Sequence, residues 1–113
     1  MTGSQPTRRS ALGVVAGLAI LPASATLARA PRTHTIVMAR MRFGPTPPGI
    51  RVGDTILWVN QDMFRHTATA RNDAFDVDLA RGESGRAVMR TAGGFAYFCR
   101  FHPGMTGVVE VSR

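Results

Sequence analysis

Between residues 75 and 79, Phe75, Val77 and Leu79 alternate with Asp76 and Asp78. A period of two puts the apolar side chains on one face and the carboxylates on the other, so the segment predicts a half-buried strand. Phe95, Tyr97 and Cys99 repeat the pattern after Gly93-Gly94, and RHTATA at 65–70 alternates with small and β-branched residues. TILWVN at 55–60 is a short apolar run suited to a strand buried on both sides. HTIVMARMRF at 34–43, GRAVMRT at 85–91 and TGVVEV at 106–111 are rich in strand formers. Turn signals separate these runs: GPTPPG at 44–49, VGD at 52–54 and GES at 82–84. No helical period runs beyond residue 32, and only 61–74 is loose enough to hold a short helical turn. Seven or eight short strands at this spacing predict an all-β fold, a sandwich or barrel.

The first thirty residues follow different rules. A basic MTGSQPTRR precedes the uncharged ALGVVAGLAIL, which Pro22 ends before a run of small residues. This is the layout of an export signal. The site Ala23-Ser24-Ala25 sets the signal at 1–25 and the mature domain at 26–113, with a second site at Ala28-Arg29-Ala30 that would move cleavage to after residue 30. The apolar run is too short to cross a bilayer, so no stable membrane span is expected after cleavage. Arg8-Arg9 also resembles the twin-arginine export motif, although Ala11 stands where a strongly apolar residue is usual. The expected compartment is the periplasm, by the twin-arginine or the general secretory route.

Composition narrows the possibilities further. Every basic residue of the 113 is Arg, and the formal charge is +7. No arginine run or aromatic-interleaved basic stretch supports nucleic-acid binding, so the charge is read as solubility and attraction to an acidic partner. One cysteine cannot staple a small exported domain through an internal disulfide, and a bound metal could do so instead.

The candidate chemistry lies in FCRFHPGM, residues 98–105, where Cys99, His102 and Met105 stand at i, i+3 and i+6. Residues i and i+3 of a tight turn approach within about 7 Å, so two successive turns could aim all three donors at one ion. Pro103 and Gly104 suit such a compact loop. A fourth ligand must come from elsewhere in the chain. His66, at the start of a predicted strand, is the candidate, whereas His34 opens the first strand far from the loop in sequence.

With these residues in place, a resemblance becomes specific. GDTILWVN at 53–60, His66-Thr67, and GGFAYFCRFHPGMTGVVEV at 93–111 resemble the small type I blue copper proteins, the cupredoxins. The Cys-x2-His-x2-Met spacing is similar to the short ligand loop of amicyanins; plastocyanins and pseudoazurins have a longer interval before Met. The resemblance implies a Greek-key β-sandwich and one copper ion cycling between Cu(I) and Cu(II). It also implies His66, Cys99 and His102 as strong ligands and Met105 as a weak axial one. Thr67 departs from the family, where Asn often follows the first histidine, which leaves the hydrogen bonding beside Cys99 open.

Elementary metal chemistry agrees with this ligand set. Two imidazoles and a thiolate in a trigonal array, with a distant thioether, make a blue-copper site. Structural zinc prefers four tight ligands, and iron–sulfur clusters need more cysteines. The implied function is one-electron transfer between redox proteins by a monomer, not enzymatic catalysis. His102, beside Phe101, Pro103, Met63 and Phe64, would be the exit to the surface. Arg65 and Arg100 predict a basic rim there, hence a partner with an acidic docking face. The rival function is a copper carrier or buffer using the same site. A copper oxidase would need paired His-x-His motifs, and none occurs in the sequence.

Overall fold

The computed structural model describes residues 29–113; the export-signal expectation for residues 1–25 lies outside the described residues. Contacts define Pro31–Arg113 as one compact unit. Its strands are β1 (Thr33–Ala39), β2 (Arg42–Phe43), β3 (Thr55–Asn60), β4 (His66–Ala70), β5 (Asp76–Leu79), β6 (Ser84–Val88), β7 (Gly93–Phe98) and β8 (Thr106–Val111). They form two four-stranded sheets, ordered β2-β1-β3-β6 and β5-β4-β7-β8. The chain changes sheet between β3 and β4, between β5 and β6 and between β6 and β7, as a Greek-key sandwich requires. Strands β1 and β3 run parallel, with Thr33 opposite Thr55 and Met38 opposite Asn60; the other strand pairs within the sheets are antiparallel.

The alternation read from the sequence sets the two inner faces. His34, Ile36 and Met38 of β1 and Ile56, Trp58 and Asn60 of β3 point inward, as do Leu79 of β5 and Phe95 and Tyr97 of β7. Trp58, Phe75 and Tyr97 meet at the centre with ring centroids 5.0–5.7 Å apart. Such aromatic pairs each contribute about 1 kcal/mol beyond the area they bury. At one margin the sheets close so tightly that only glycine fits. A Cβ on Gly85 of β6 would stand 2.5 Å from Cγ1 of Val77 and 2.9 Å from Cδ2 of Leu79, both on β5.

One expectation is corrected. The run 34–43 is not one strand but the hairpin β1–β2. It reverses at Arg40-Met41, where both residues have positive φ, 54° and 60°. A two-residue turn with this backbone usually carries Asn-Gly, so the sequence gives no warning of it. The strand read at 65–70 is β4, His66–Ala70, and the segment 61–74 that could have held a helical turn has none. The connection 44–54, by contrast, is held as a structured edge. Thr46 Oγ1 donates to the Val108 carbonyl, the Val52 amide to that of Ser112, and the Ser112 amide to that of Ile50.

At the N-terminal ends of β1 and β3, Asp54 forms a buried node. It is 1% exposed, and its carboxylate accepts the Arg32 and Arg51 amides and lies 2.8 Å from Nε2 of His34. His34 is therefore a buried structural partner of Asp54 and takes no part in the donor cluster at the other histidines.

Candidate metal centre

His66 is the first residue of β4, and Cys99 follows directly on β7, the strand paired with β4. The β4–β7 register aligns Thr69 with Phe98 and Ala70 with Tyr97, which carries residue 99 back toward the start of β4. Sheet pairing thus brings together two donors that are 33 residues apart in sequence: Nδ1 of His66 lies 3.7 Å from Sγ of Cys99. Both residues are fully buried.

The loop after Cys99 supplies His102, whose Nδ1 lies 3.8 Å from the same sulfur. Two backbone hydrogen bonds set its shape. The Met105 amide donates to the His102 carbonyl at 2.8 Å, closing a tight turn over Pro103 and Gly104. The Cys99 amide donates to the Met105 carbonyl at 3.0 Å, closing the whole loop. Gly104 has no positive φ, and a Cβ there would meet nothing within 4 Å. Proline and these two bonds make the bend, and glycine's conformational freedom is not required. Met105 is buried, as a ligand from this loop would be.

The donor geometry can be tested against an ion. The ligand atoms of His66, Cys99 and His102 all lie within 4.8 Å of one another. Bonds of about 2.0 Å to nitrogen and 2.3 Å to sulfur separate N from S by about 3.7 Å at a trigonal angle and about 3.5 Å at a tetrahedral one. The two separations, 3.7 and 3.8 Å, are those of donors gathered around one ion. Two imidazoles and a thiol are a donor set that suits copper.

Groups around the donors fix their orientation. Nε2 of His66 lies 2.9 Å from Oδ2 of Asp62. A carboxylate there holds the proton on Nε2 and leaves the Nδ1 lone pair facing the sulfur, which is how protein ligands are commonly oriented. The hydrogen bond from His66 holds the Asp62 carboxyl below the usual range, helped by the backbone amides of Met41 and Met63. Asn60 organises the loop that carries Asp62. Its Nδ2 donates to the carbonyls of Phe64 and Leu79, and its Oδ1 accepts the Asp62 amide. On the other side, the Thr67 amide donates to Sγ of Cys99 at 3.3 Å. The hydrogen bonding that Thr67 left open is thus supplied by its backbone, while its hydroxyl accepts the Arg100 amide at 2.9 Å.

The imidazole of His102 is half-buried, and its ring meets that of Phe64 edge-on at 5.9 Å. Met63 and Phe64, just before His66 in sequence, and Phe101, just before His102, are 69%, 52% and 50% exposed, an unusual amount of apolar surface on the two loops that carry the histidines. The arginines expected to form a basic rim are engaged. Nε of Arg65 pairs with Asp78 at 2.8 Å, and the Arg100 guanidinium pairs with Asp76 and reaches Asp78 at 3.7 Å.

All four residues singled out in the sequence sit at this end of the sandwich, and the structure joins the side chains of three of them directly. The sequence reading missed Asp62, Asn60, Thr69 and Asp76. Asp62 lies four residues before His66 in a loop, and no local pattern marks that spacing as meaningful.

No protein-family model matches the chain. Among curated proteins, it is 34% identical to plastocyanin of Scenedesmus fuscus, over 61% of this chain and 85% of the relative. It is 30% identical to amicyanin of Paracoccus versutus, over 64% of this chain and 59% of the relative's length. Solved structures share the fold. A mutant of amicyanin in its Cu(I) form superposes with a TM-score of 0.64 at 22% identity, covering 71% of this chain and 82% of the other. A purple cupredoxin from Nitrosopumilus maritimus gives 0.57 at 26% identity, covering 69% and 98%. With a plastocyanin matched along most of its length, and two imidazoles and a thiol spaced for one ion at the end of a Greek-key sandwich, the chain belongs to the small blue copper proteins, the cupredoxins.

Proposed function

We propose that this protein is an exported one-electron carrier that holds one copper ion through His66, Cys99 and His102, with Met105 as a weak axial ligand. The observation that carries the reading is the pair of N···S separations, 3.7 and 3.8 Å, inside a site whose donors are fixed by strand pairing and loop hydrogen bonds. When bound, copper supplies a reversible change of one electron. The chain's own residues would hold two imidazoles and a sulfur at fixed separations, so that little would have to move when the ion changed oxidation state. Burial of His66, Cys99 and Met105 excludes water, and half-exposed His102 is the donor nearest to a docked partner. The reading is of a carrier, not an enzyme.

Redox partners would dock on the apolar surface beside His102, where Phe64 touches the imidazole edge. The overall positive charge favours a partner with an acidic face, although Arg65 and Arg100 are each paired with a carboxylate. The leader-like layout of residues 1–25 supports a periplasmic location, and the domain then comprises 26–113.

Titration of the purified protein with Cu(II) tests the site. An intense visible thiolate-to-metal band should develop at one equivalent, bleach on reduction and return on reoxidation. Loss of that band in Cys99→Ser and His66→Ala is expected as well. A protein that stays colourless, or that releases its metal at each reduction, would exclude the electron carrier.

A further inference from the structure

The β4–β7 backbone ladder stops at Thr69 opposite Phe98, before the strands reach the donors. Side chains take over beyond that point. We propose that Thr69 and Asp76 are positioning residues for the thiolate: with Thr67 they form a directed hydrogen-bond ring that locks residue 100 against β4 and holds the Thr67 amide on the Cys99 sulfur. This rests on the reading of Cys99 as the copper's thiolate.

The direction of each bond follows from donor counting. Oγ1 of Thr69 lies 2.8 Å from Oδ1 of Asp76, and a carboxylate paired with arginine accepts only, so the Thr69 hydroxyl donates its single proton there. Oγ1 of Thr67 lies 2.8 Å from Oγ1 of Thr69. With the Thr69 proton already committed, Thr67 must be the donor. Its lone pairs are then left for the Arg100 amide at 2.9 Å. The Arg100 guanidinium closes the ring, reaching Thr69 at 3.1 Å and pairing with Asp76. Both ends of the ring are therefore one residue, the one that follows Cys99.

This arrangement ties the surface to the buried sulfur. Thr67 is fully buried, whereas Asp76 is 54% exposed and Arg100 40%. Residues 67 and 99–100 hold each other twice: the Thr67 amide donates to the Cys99 sulfur, and the Arg100 amide donates to the Thr67 hydroxyl. If the Thr69 acceptor is removed, the Thr67 proton has no assigned destination, its oxygen is free to rotate, and the Arg100 amide loses a fixed partner. A buried hydroxyl left in this state costs free energy that the rest of the strand must absorb by moving.

Four variants separate this ring from general stability: Thr69→Val, Thr69→Ser, Asp76→Ala and Asp78→Ala. Asp78 pairs with the same arginine but touches neither hydroxyl. The first readout needs no metal: amide hydrogen exchange at Thr67 and Arg100 in the metal-free protein. Thr69→Val and Asp76→Ala should speed exchange at these two amides by about tenfold. Thr69→Ser and Asp78→Ala should stay within about twofold of the parent. The second readout is the thiolate-to-copper band of the loaded protein, which Thr69→Val should shift and Thr69→Ser should not. Unchanged exchange in Thr69→Val, equal effects of Asp76→Ala and Asp78→Ala, or faster exchange with an unmoved band would each overturn the proposal. A parent protein with no band at all would instead refute the copper reading, so the two failures are told apart.

Discussion

The amide of Met41 donates to Oδ2 of Asp62 at 2.8 Å, the same carboxylate oxygen that lies 2.9 Å from the Nε2 of His66. The tip of the β1–β2 hairpin is thereby linked, through one oxygen atom, to a candidate copper ligand. Replacing Asp62 with Ala removes the group that fixes the His66 tautomer. Copper affinity should fall by about 10–100-fold, the range seen when partners of metal-bound histidines are lost. Competition titration against a chelator of known affinity would measure it. An affinity unchanged within twofold would mean that the sandwich alone orients the ring.

The same hairpin tip stores backbone strain. Arg40 and Met41 both occupy the left-handed region, which costs non-glycine residues about 1–2 kcal/mol each. Met41→Gly keeps the amide bond to Asp62 and should stabilise the fold by up to about 1 kcal/mol, after subtracting glycine's greater freedom in the unfolded chain. Denaturant unfolding would read this gain, and a loss of stability would show that the Met41 side chain contributes more packing than its exposed position implies.

A packing test sits under Tyr97. A Cβ on Gly107 of β8 would stand 2.5 Å from Cζ of Tyr97 and 2.6 Å from its hydroxyl. Gly107→Ala should therefore destabilise the protein by about 1–3 kcal/mol through overpacking. The double variant Gly107→Ala, Tyr97→Phe should recover part of the loss, because the hydroxyl clash is gone while those with Cζ and Cε1, the latter at 2.8 Å, remain.

Tyr97 also predicts an alkaline limit. Burial raises its pKa above the ordinary value of 10.0, with the neighbouring Trp58 indole opposing the shift. Neither the Tyr97 hydroxyl nor Nε1 of Trp58 completes a hydrogen bond. The unfolded chain releases the phenol proton first, so unfolding is favoured as pH climbs from about 10 toward the higher folded value, with no effect well below that window. Tyr97→Phe should flatten this limb of the stability profile, measured as midpoint denaturant against pH. An unaltered limb would assign it to other groups.

Asp54 predicts the reverse combination: a large stability effect with an intact metal centre. Replacing it with Ala leaves His34 and the amides of Arg32 and Arg51 without their carboxylate at a buried position. The cost should be about 3 kcal/mol or more. Because the node lies at the opposite end of β3 from Asn60, the visible spectrum of the folded, copper-loaded variant should match the parent. A displaced band would reveal coupling along β1 and β3.

Much of this architecture was legible in the alternation of side chains. Phe75/Leu79 and Phe95/Tyr97/Cys99 gave both strand identity and inward face, and the spacing of Cys99, His102 and Met105 pointed to one loop and one ion. The hairpin at Arg40-Met41 was not legible, because its turn uses residues that carry no turn signature; long-range contacts, Met41 to Asp62 among them, hold it instead. Asp76 and Asp78 read correctly as an exposed face, but their partners were invisible. Arg100 and Arg65 reach them only because β4 and β5 pair with Thr69 opposite Asp76. Side-chain networks of this kind depend on register across sheets, which a linear pattern does not encode.

The distribution of donors also has a consequence for biosynthesis. His66 leaves the ribosome 33 residues ahead of Cys99, and the two meet only when β7 has docked on β4. Translation must also pass Met105 before its carbonyl can fasten the Cys99 amide. If these residues hold the copper, the ion meets its full donor set only once the second sheet is in place. Tight binding would then report a finished fold.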